Sequence, residues 1–176
     1  MTGPFELVVF DVGGVLVRTG RTWREDAALG GFDLDPAWVE AFESRLHGRP
    51  RLTLGEVSIE QHCDALAAAS DGALTPQDVR RITAASLIAE YPSVGAVFDA
   101  VEAAGLDTAL LMNLNEVEWS RYFPEDGAPS EFPTVGRARQ RFASHLMGVA
   151  KPDRRAYQHV ERATGRSGSE ILFFDD

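Results

Sequence analysis

The stretch Leu7-Val8-Val9-Phe10-Asp11-Val12-Gly13-Gly14 decides how this chain folds. Its first four residues form a continuous apolar run, which is typical of a strand buried on both faces of a parallel sheet. Gly13 and Gly14 follow almost at once, and they predict a tight turn directly after the strand. The stretch therefore predicts a parallel strand whose carboxyl end carries an acidic side chain, Asp11.

Two other apolar runs end on polar residues in the same way. Residues 108–112 lead to Asn113, and residues 171–174 lead to Asp175 and Asp176. Strands that alternate with helices form parallel βαβ units. The chain is therefore predicted to be an α/β protein with a Rossmann-like parallel sheet. The remaining elements predicted for this part of the chain are helices over 94–103, 116–122 and 152–164 and a weak strand over 141–144.

The stretch from residue 19 to residue 90 has a different pattern, because helices dominate it. Asp35-Pro36 and Thr75-Pro76 each combine an N-cap residue with a proline at the first helical position. The helix that begins at Pro76 is predicted to continue to about Ala89. The whole stretch is too long for a single crossover helix. We therefore predict a helical cap over residues 19–90, inserted into a core made of residues 1–18 and 91–176.

Composition excludes several classes of partner. The 176 residues carry a formal net charge of −10, and an acidic surface repels both nucleic acid and anionic membranes. The single cysteine, Cys63, excludes an intramolecular disulfide and fits a reducing compartment. No apolar stretch is long enough to cross a bilayer, and the first residues lack the pattern of a secretory signal. We therefore predict a cytoplasmic protein.

The polar residues at the strand ends suggest a site. Ligands of an open parallel sheet bind beyond the carboxyl ends of its strands, where Asp11, Asn113, Asp175 and Asp176 are predicted to lie. Converging carboxylates repel one another unless a cation lies between them, and hard oxygen ligands suit Mg²⁺. Lys151 precedes a helix N-terminus, where backbone N–H groups favour an anion. These features together predict a phosphate site that uses magnesium.

Three segments resemble motifs of the haloacid dehalogenase superfamily, and they occur in the family's order. Residues 10–17 resemble its first motif, residues 148–153 its lysine motif, and residues 171–176 its acidic fourth motif. Residues 151–160 also resemble the branch that contains bacterial α-glucose-1-phosphate phosphatase. The resemblance covers nearly all of the chain, and the cap is its least specific part. It implies a capped α/β hydrolase.

The resemblance also implies a role for each site residue. Asp11 would be the nucleophile that forms an aspartyl-phosphate. Lys151 would neutralise both this nucleophile and the phosphoryl oxygens. Backbone N–H groups near the first two strand ends would bind the phosphoryl oxygens. The implied phosphate-binding residues are Gly13, Gly14, Asn113 and Lys151, and the implied ligands of Mg²⁺ are Asp11, the carbonyl of Gly13, Asp175 and Asp176.

The chain departs from the family pattern at two positions and at its end. Gly13 stands where most phosphatases of the family carry a second aspartate that protonates the leaving group, although the glucose-1-phosphatase-like branch shares the glycine. Met112 stands where the second motif has Ser or Thr. A thioether cannot donate a hydrogen bond, and we expect Met112 to add bulk near the phosphate. The family continues past Asp176, so we expect this sequence to be a piece of a longer domain.

Three functions are compatible with these residues. The leading hypothesis is a magnesium-dependent phosphatase that acts on a small phosphorylated metabolite, such as a sugar phosphate. The second is a catalytically degenerate member that binds or regulates, since Gly13 and Met112 remove two expected groups. The third is a 2-haloacid dehalogenase, which ranks low because that branch usually has an aromatic residue at the position of Gly13 and a threonine at that of Val15.

Overall fold

A parallel four-stranded sheet forms the centre of the protein. The computed structural model describes residues 5–45, 51–125 and 127–176, and within these ranges the strands of this sheet lie in the order β5-β4-β1-β6. The predicted α/β class with a Rossmann-like sheet is therefore confirmed. The strands are β1 (Leu7–Phe10), β2 (Val17–Thr19), β3 (Leu87–Glu90), β4 (Asp107–Met112), β5 (Gln140–Ala143) and β6 (Ile171–Phe174), and the helices are α1 (Trp23–Leu29), α2 (Pro36–Ser44), α3 (Ile59–Ala69), α4 (Pro76–Ala85), α5 (Val94–Ala103), α6 (Glu116–Tyr122), α7 (Ser144–Met147) and α8 (Arg154–Thr164).

β1 lies inside the sheet because both of its faces are covered. All four of its residues are at most 2% exposed. On one face, Phe10 stacks on Phe98 of α5, with the ring centroids 5.6 Å apart. On the other face, Val9 belongs to an apolar cluster that includes Val160 of α8. The continuous apolar run at the start of the sequence is thus a strand buried on both faces, as predicted.

The helices between β2 and β3 enclose an apolar cluster of their own. Phe42 and Ile82 are fully buried in it, and Trp38 stacks on Phe42 with the ring centroids 4.9 Å apart. α2 and α4 begin at the two predicted prolines, each with its predicted N-cap residue. The division into a core and a cap stays a prediction, and residues 1–4, 46–50 and 126 of it lie outside the described residues.

The end of the predicted cap differs from its prediction. α4 ends at Ala85, and Leu87–Glu90 forms β3 instead of continuing the helix to about Ala89. β3 pairs antiparallel with β2, so a two-stranded ribbon connects the central sheet with the helices of α1 to α4. The helical prediction was wrong because a short apolar run fits either structure, and pairing with the distant β2 decides between them.

The helix after Lys151 begins later than predicted. α8 starts at Arg154 with Asp153 as its N-cap, so Pro152 lies ahead of the helix and not in its first turn. Lys151 therefore belongs to the connection that leads into α8, close to the carboxyl ends of the strands. No helix of the described ranges combines the length and the apolar character that crossing a membrane requires.

Candidate active site

The register of the central sheet brings Asp11 and Asp175 side by side. β1 and β6 pair Phe10 with Phe174, so the residues that follow leave neighbouring strands at the same height. The N–H of Asp11 donates to the carbonyl of Phe174 at 2.8 Å and extends the pairing by one step. Adjacent strands are about 4.8 Å apart, so the two carboxylates emerge next to each other.

Lys151 lies between these two carboxylates. Its Nζ atom is 2.8 Å from Asp11 Oδ1 and 2.8 Å from Asp175 Oδ1. The Lys151 side chain is only 7% exposed, and its ammonium also lies 5.5 Å from the centroid of the Phe173 ring. A charge buried to this extent requires partners, and here the two acidic strand ends provide them.

Asn113 holds the backbone of Lys151 in place. Its Nδ2 donates to the Lys151 carbonyl at 2.9 Å, and its Oδ1 accepts from the Lys151 N–H at 2.9 Å. Both ends of the amide are thus engaged with the connection that carries the lysine. The structure gives the Asn113 side chain this positioning task, and its contact with a phosphate stays a prediction.

Three carboxylates converge in a way that fits a divalent cation. Asp11, Asp175 and Asp176 each place an oxygen within 4.8 Å of the others. Gly14 makes room for this approach, because a Cβ at that position would lie 2.5 Å from Asp176 Oδ2. Its φ of +80° also favours glycine, and its N–H donates to the Val17 carbonyl at 2.9 Å within the turn. Hard oxygen donors at this spacing suit Mg²⁺.

The charge state of Asp11 depends on opposing influences. Burial is the largest of them and raises the pKa of Asp11, whereas the hydrogen bond and the positive charge of Lys151 lower it. A cation beside Asp11 therefore favours the ionised form of its carboxyl group.

A cleft of about 920 Å³ opens at these strand ends. It contains all of the site residues predicted from the sequence, namely Asp11, Gly13, Gly14, Asn113, Lys151, Asp175 and Asp176.

A second cavity of about 340 Å³ adjoins this cleft through Asp26, Ser86 and Glu118. Sequence reasoning did not single out these shared residues, because they lie in α1, at the end of α4 and in α6, outside any motif. Lys151 is also the only lysine in the sequence, a feature that could have marked it as a functional residue.

Met112 does not lie where the sequence suggested. It is 1% exposed and packs in the apolar cluster that contains Phe10 and Phe98. The described residues that line the cleft do not include it. The expectation that Met112 adds bulk at the phosphate was therefore wrong, because its side chain contributes to the core.

The whole described site falls within one family match. The model of the haloacid dehalogenase-like hydrolase family matches residues 5–176. The chain belongs to this family. The superfamily predicted from the three motifs is thus confirmed, and the glucose-1-phosphatase-like branch stays a prediction. The converging side chains described above are the candidate functional groups of this chain.

Individual relatives agree with the family match. A phosphatase of Mycobacterium tuberculosis is 31% identical over 86 residues, which is 49% of this chain and 37% of that protein. The chain thus aligns with little more than a third of this curated relative. A haloacid dehalogenase family enzyme of Bacteroides thetaiotaomicron, solved as a magnesium complex, has a TM-score of 0.77 at 18% identity, covering 99% of this chain and 85% of that one. The L-2-haloacid dehalogenase of Xanthobacter autotrophicus has a TM-score of 0.59 at 17% identity, covering 96% and 69%.

Proposed function

We propose that this hydrolase is a magnesium-dependent phosphatase of small phosphorylated metabolites. The observation that carries the proposal is the ammonium of Lys151, which lies 2.8 Å from Asp11 and 2.8 Å from Asp175 at the cleft. A lysine in this position neutralises a carboxylate that must approach an anionic phosphate. The name of the mycobacterial relative and the magnesium and phosphate complex of the Bacteroides enzyme support the same chemistry.

Asp11 is the residue that reacts. One of its carboxylate oxygens bonds to phosphorus while the bond from phosphorus to the leaving-group oxygen breaks, which yields an aspartyl-phosphate that water then hydrolyses. Lys151 orients Asp11 and attracts the phosphoryl oxygens. Asp11, Asp175 and Asp176 would hold Mg²⁺, which supplies positive charge against the repulsion between carboxylate and phosphate.

The main cleft favours a small and polar substrate. Clefts of several hundred cubic ångströms suit metabolites, and this cleft of about 920 Å³ continues into a cavity of about 340 Å³. The residues that both share, Asp26, Ser86 and Glu118, are all polar. The net charge of −10 disfavours nucleic acid as a substrate. We therefore propose a sugar phosphate, whose hydroxyl groups such a lining can bind.

Phosphate release with and without magnesium tests this function. The panel contains hexose 1-phosphates, hexose 6-phosphates and p-nitrophenyl phosphate. We expect turnover with Mg²⁺ and a loss of at least about 100-fold after chelation, because the charge of the cation is removed from the transition state. Metal-independent halide release from 2-chloropropionate would support a dehalogenase instead. No turnover of any ester together with weak or absent binding of Mg²⁺ and BeF₃⁻ would support a degenerate protein, whereas tight binding of BeF₃⁻ would count against one.

Asn113→Ala is expected to lower phosphate release by about 10- to 100-fold, because a small displacement of a catalytic group has effects of this size. The substitution removes both hydrogen bonds that position the Lys151 backbone and leaves the chemistry of the ammonium unchanged. Steady-state kinetics on the best panel substrate measures the effect. Gln77→Ala removes an exposed amide and serves as the control. Equal rates for the two variants would show that Asn113 does not position Lys151.

A further inference from the structure

Asp26 has no role in the phosphatase mechanism proposed for Asp11 and Lys151. It lies in α1 and lines both the cleft and the adjoining cavity. Its Oδ1 atom is buried, and none of the described residues donates a hydrogen bond to it. Leaving a buried carboxylate oxygen without a donor is unfavourable for folding. The position of Asp26 is therefore explained better by a ligand or a reaction than by stability.

The same carboxyl lies in the cleft that Gly13 also lines. A Cβ on Gly13 would have Thr19 as its neighbour, 3.5 Å from the Cγ2 atom, so the turn has room for a side chain that it lacks. The next residue, Gly20, has no side chain either, and a Cβ there would collide with Asp26 Oδ1. Asp26 therefore packs against Gly20. Gly20 directly follows Thr19, which is the residue that a side chain at position 13 would contact. All four residues line the cleft that contains Asp11.

We propose that Asp26 is the general acid and base of the phosphatase reaction and supplies from α1 the proton that Gly13 cannot provide. The inference rests on the proposed function. As Asp11 bonds to phosphorus, the bond to the leaving-group oxygen breaks and that oxygen takes the proton of Asp26. In the second half of the reaction, the Asp26 carboxylate takes a proton from the water that attacks phosphorus, and the bond between phosphorus and Asp11 breaks. Both Asp26 and Asp11 thereby return to their starting states.

The surroundings of Asp26 suit an acid that works near neutral pH. Burial, followed by the charges of Glu118 and Glu25, raises the pKa of Asp26 to about 6. The neighbouring α4 contributes only Ile82, Thr83 and Ser86 to the two cavities. The titratable and charged groups that share the cavities with Asp26 are Arg21, Arg51, His62, Glu118, Asp11, Tyr91, Lys151, Tyr157, Asp175 and Asp176.

Two aryl phosphates of similar shape test the proposal with the magnesium-loaded protein. Phenyl phosphate needs a proton on its leaving group, whereas p-nitrophenolate leaves readily as an anion. We expect Asp26→Asn to lower kcat/KM for phenyl phosphate by about 100-fold and to change that for p-nitrophenyl phosphate by less than about 5-fold. Asp64→Asn, an exposed aspartate of α3, is the matched control and should change neither. Adding Gly13→Asp to Asp26→Asn should restore most of the phenyl phosphate activity.

A purely structural role for Asp26 would give different results. Because the folded protein raises its pKa, the charged form of Asp26 destabilises the fold at pH values above about 6. Asp26→Asn should therefore melt at pH 8 at the same temperature as the parent protein or above it. The kcat/KM of the parent protein for phenyl phosphate should fall as pH rises through about 6. The kcat/KM for p-nitrophenyl phosphate should not show this fall. Equal losses on both substrates, or no loss on either, would overturn the proposal. If the parent protein releases phosphate neither from these esters nor from the hexose phosphates, the proposed function fails, and the role of Asp26 with it.

Discussion

Asp11→Asn is expected to lower phosphate release by at least about 1000-fold, the largest effect of any substitution in the chain. An amide oxygen is a far weaker nucleophile than a carboxylate. The substitution changes neither size nor packing. The N–H of Asp11, which bonds to the Phe174 carbonyl, is unaffected, so the strand end keeps its geometry.

The nucleophile can be identified independently of the rate. Acid quenching during turnover should trap phosphate on the peptide that contains Asp11, and mass spectrometry should find none on Asp11→Asn. Asp33→Asn, at an exposed position of the chain, is the control and should retain the parent rate. Phosphorylation of another residue, or an unchanged rate in Asp11→Asn, would contradict the assignment of Asp11. In Asp11→Asn, the carboxylate of Asp175 remains as a partner of the Lys151 ammonium.

The sequence predicts β1, β4 and β6 well because each of these strands contains a continuous apolar run. The apolar runs of β1 and β6 can be recognised without any knowledge of their neighbours, and the residues that follow them then meet because the strands are parallel. β3 could not be recognised in this way. Leu87–Glu90 continues an apolar pattern that suits a helix, and only its pairing with Val17–Thr19 makes it a strand. Contacts between segments far apart in sequence leave no local pattern to read.

The residues of the site also divide into those that a local sequence pattern reveals and those that only contacts between distant segments reveal. Asp11 and Asp175 follow directly from strand ends, and Lys151 follows from its motif. The Asn113 side chain bonds to the Lys151 backbone, a contact between two segments that no local spacing encodes, and its contact with phosphate stays a prediction. Asp26 lies outside every motif, because it reaches the cleft only through the way α1 packs. Residues from such elements become visible only in three dimensions.

Lys151→Met is expected to lower phosphate release by on the order of 100- to 1000-fold, because it removes the cation that stabilises charge at the reacting phosphate. The two contacts of 2.8 Å to Asp11 and Asp175 disappear, while the apolar stem that lies near Phe173 is largely kept. Lys151→Arg should not restore the rate, because a planar guanidinium cannot reproduce a compact ammonium between two carboxylates. Arg154→Met removes an exposed cation nearby and serves as the control.

The pH dependence of stability separates this electrostatic role from simple packing. Lys151 lowers the pKa of Asp11 against the effect of burial, so in Lys151→Met the pKa of Asp11 rises further above its unfolded value. A raised carboxylate pKa destabilises the fold as pH rises and has no effect once the group is protonated in both states. The melting temperature of Lys151→Met should therefore fall increasingly below that of the parent between acidic and neutral pH. The activity that remains should also require a higher pH. A deficit in melting temperature that stays constant from acidic to neutral pH would show that Lys151 acts through packing, and its assigned charge role would be wrong.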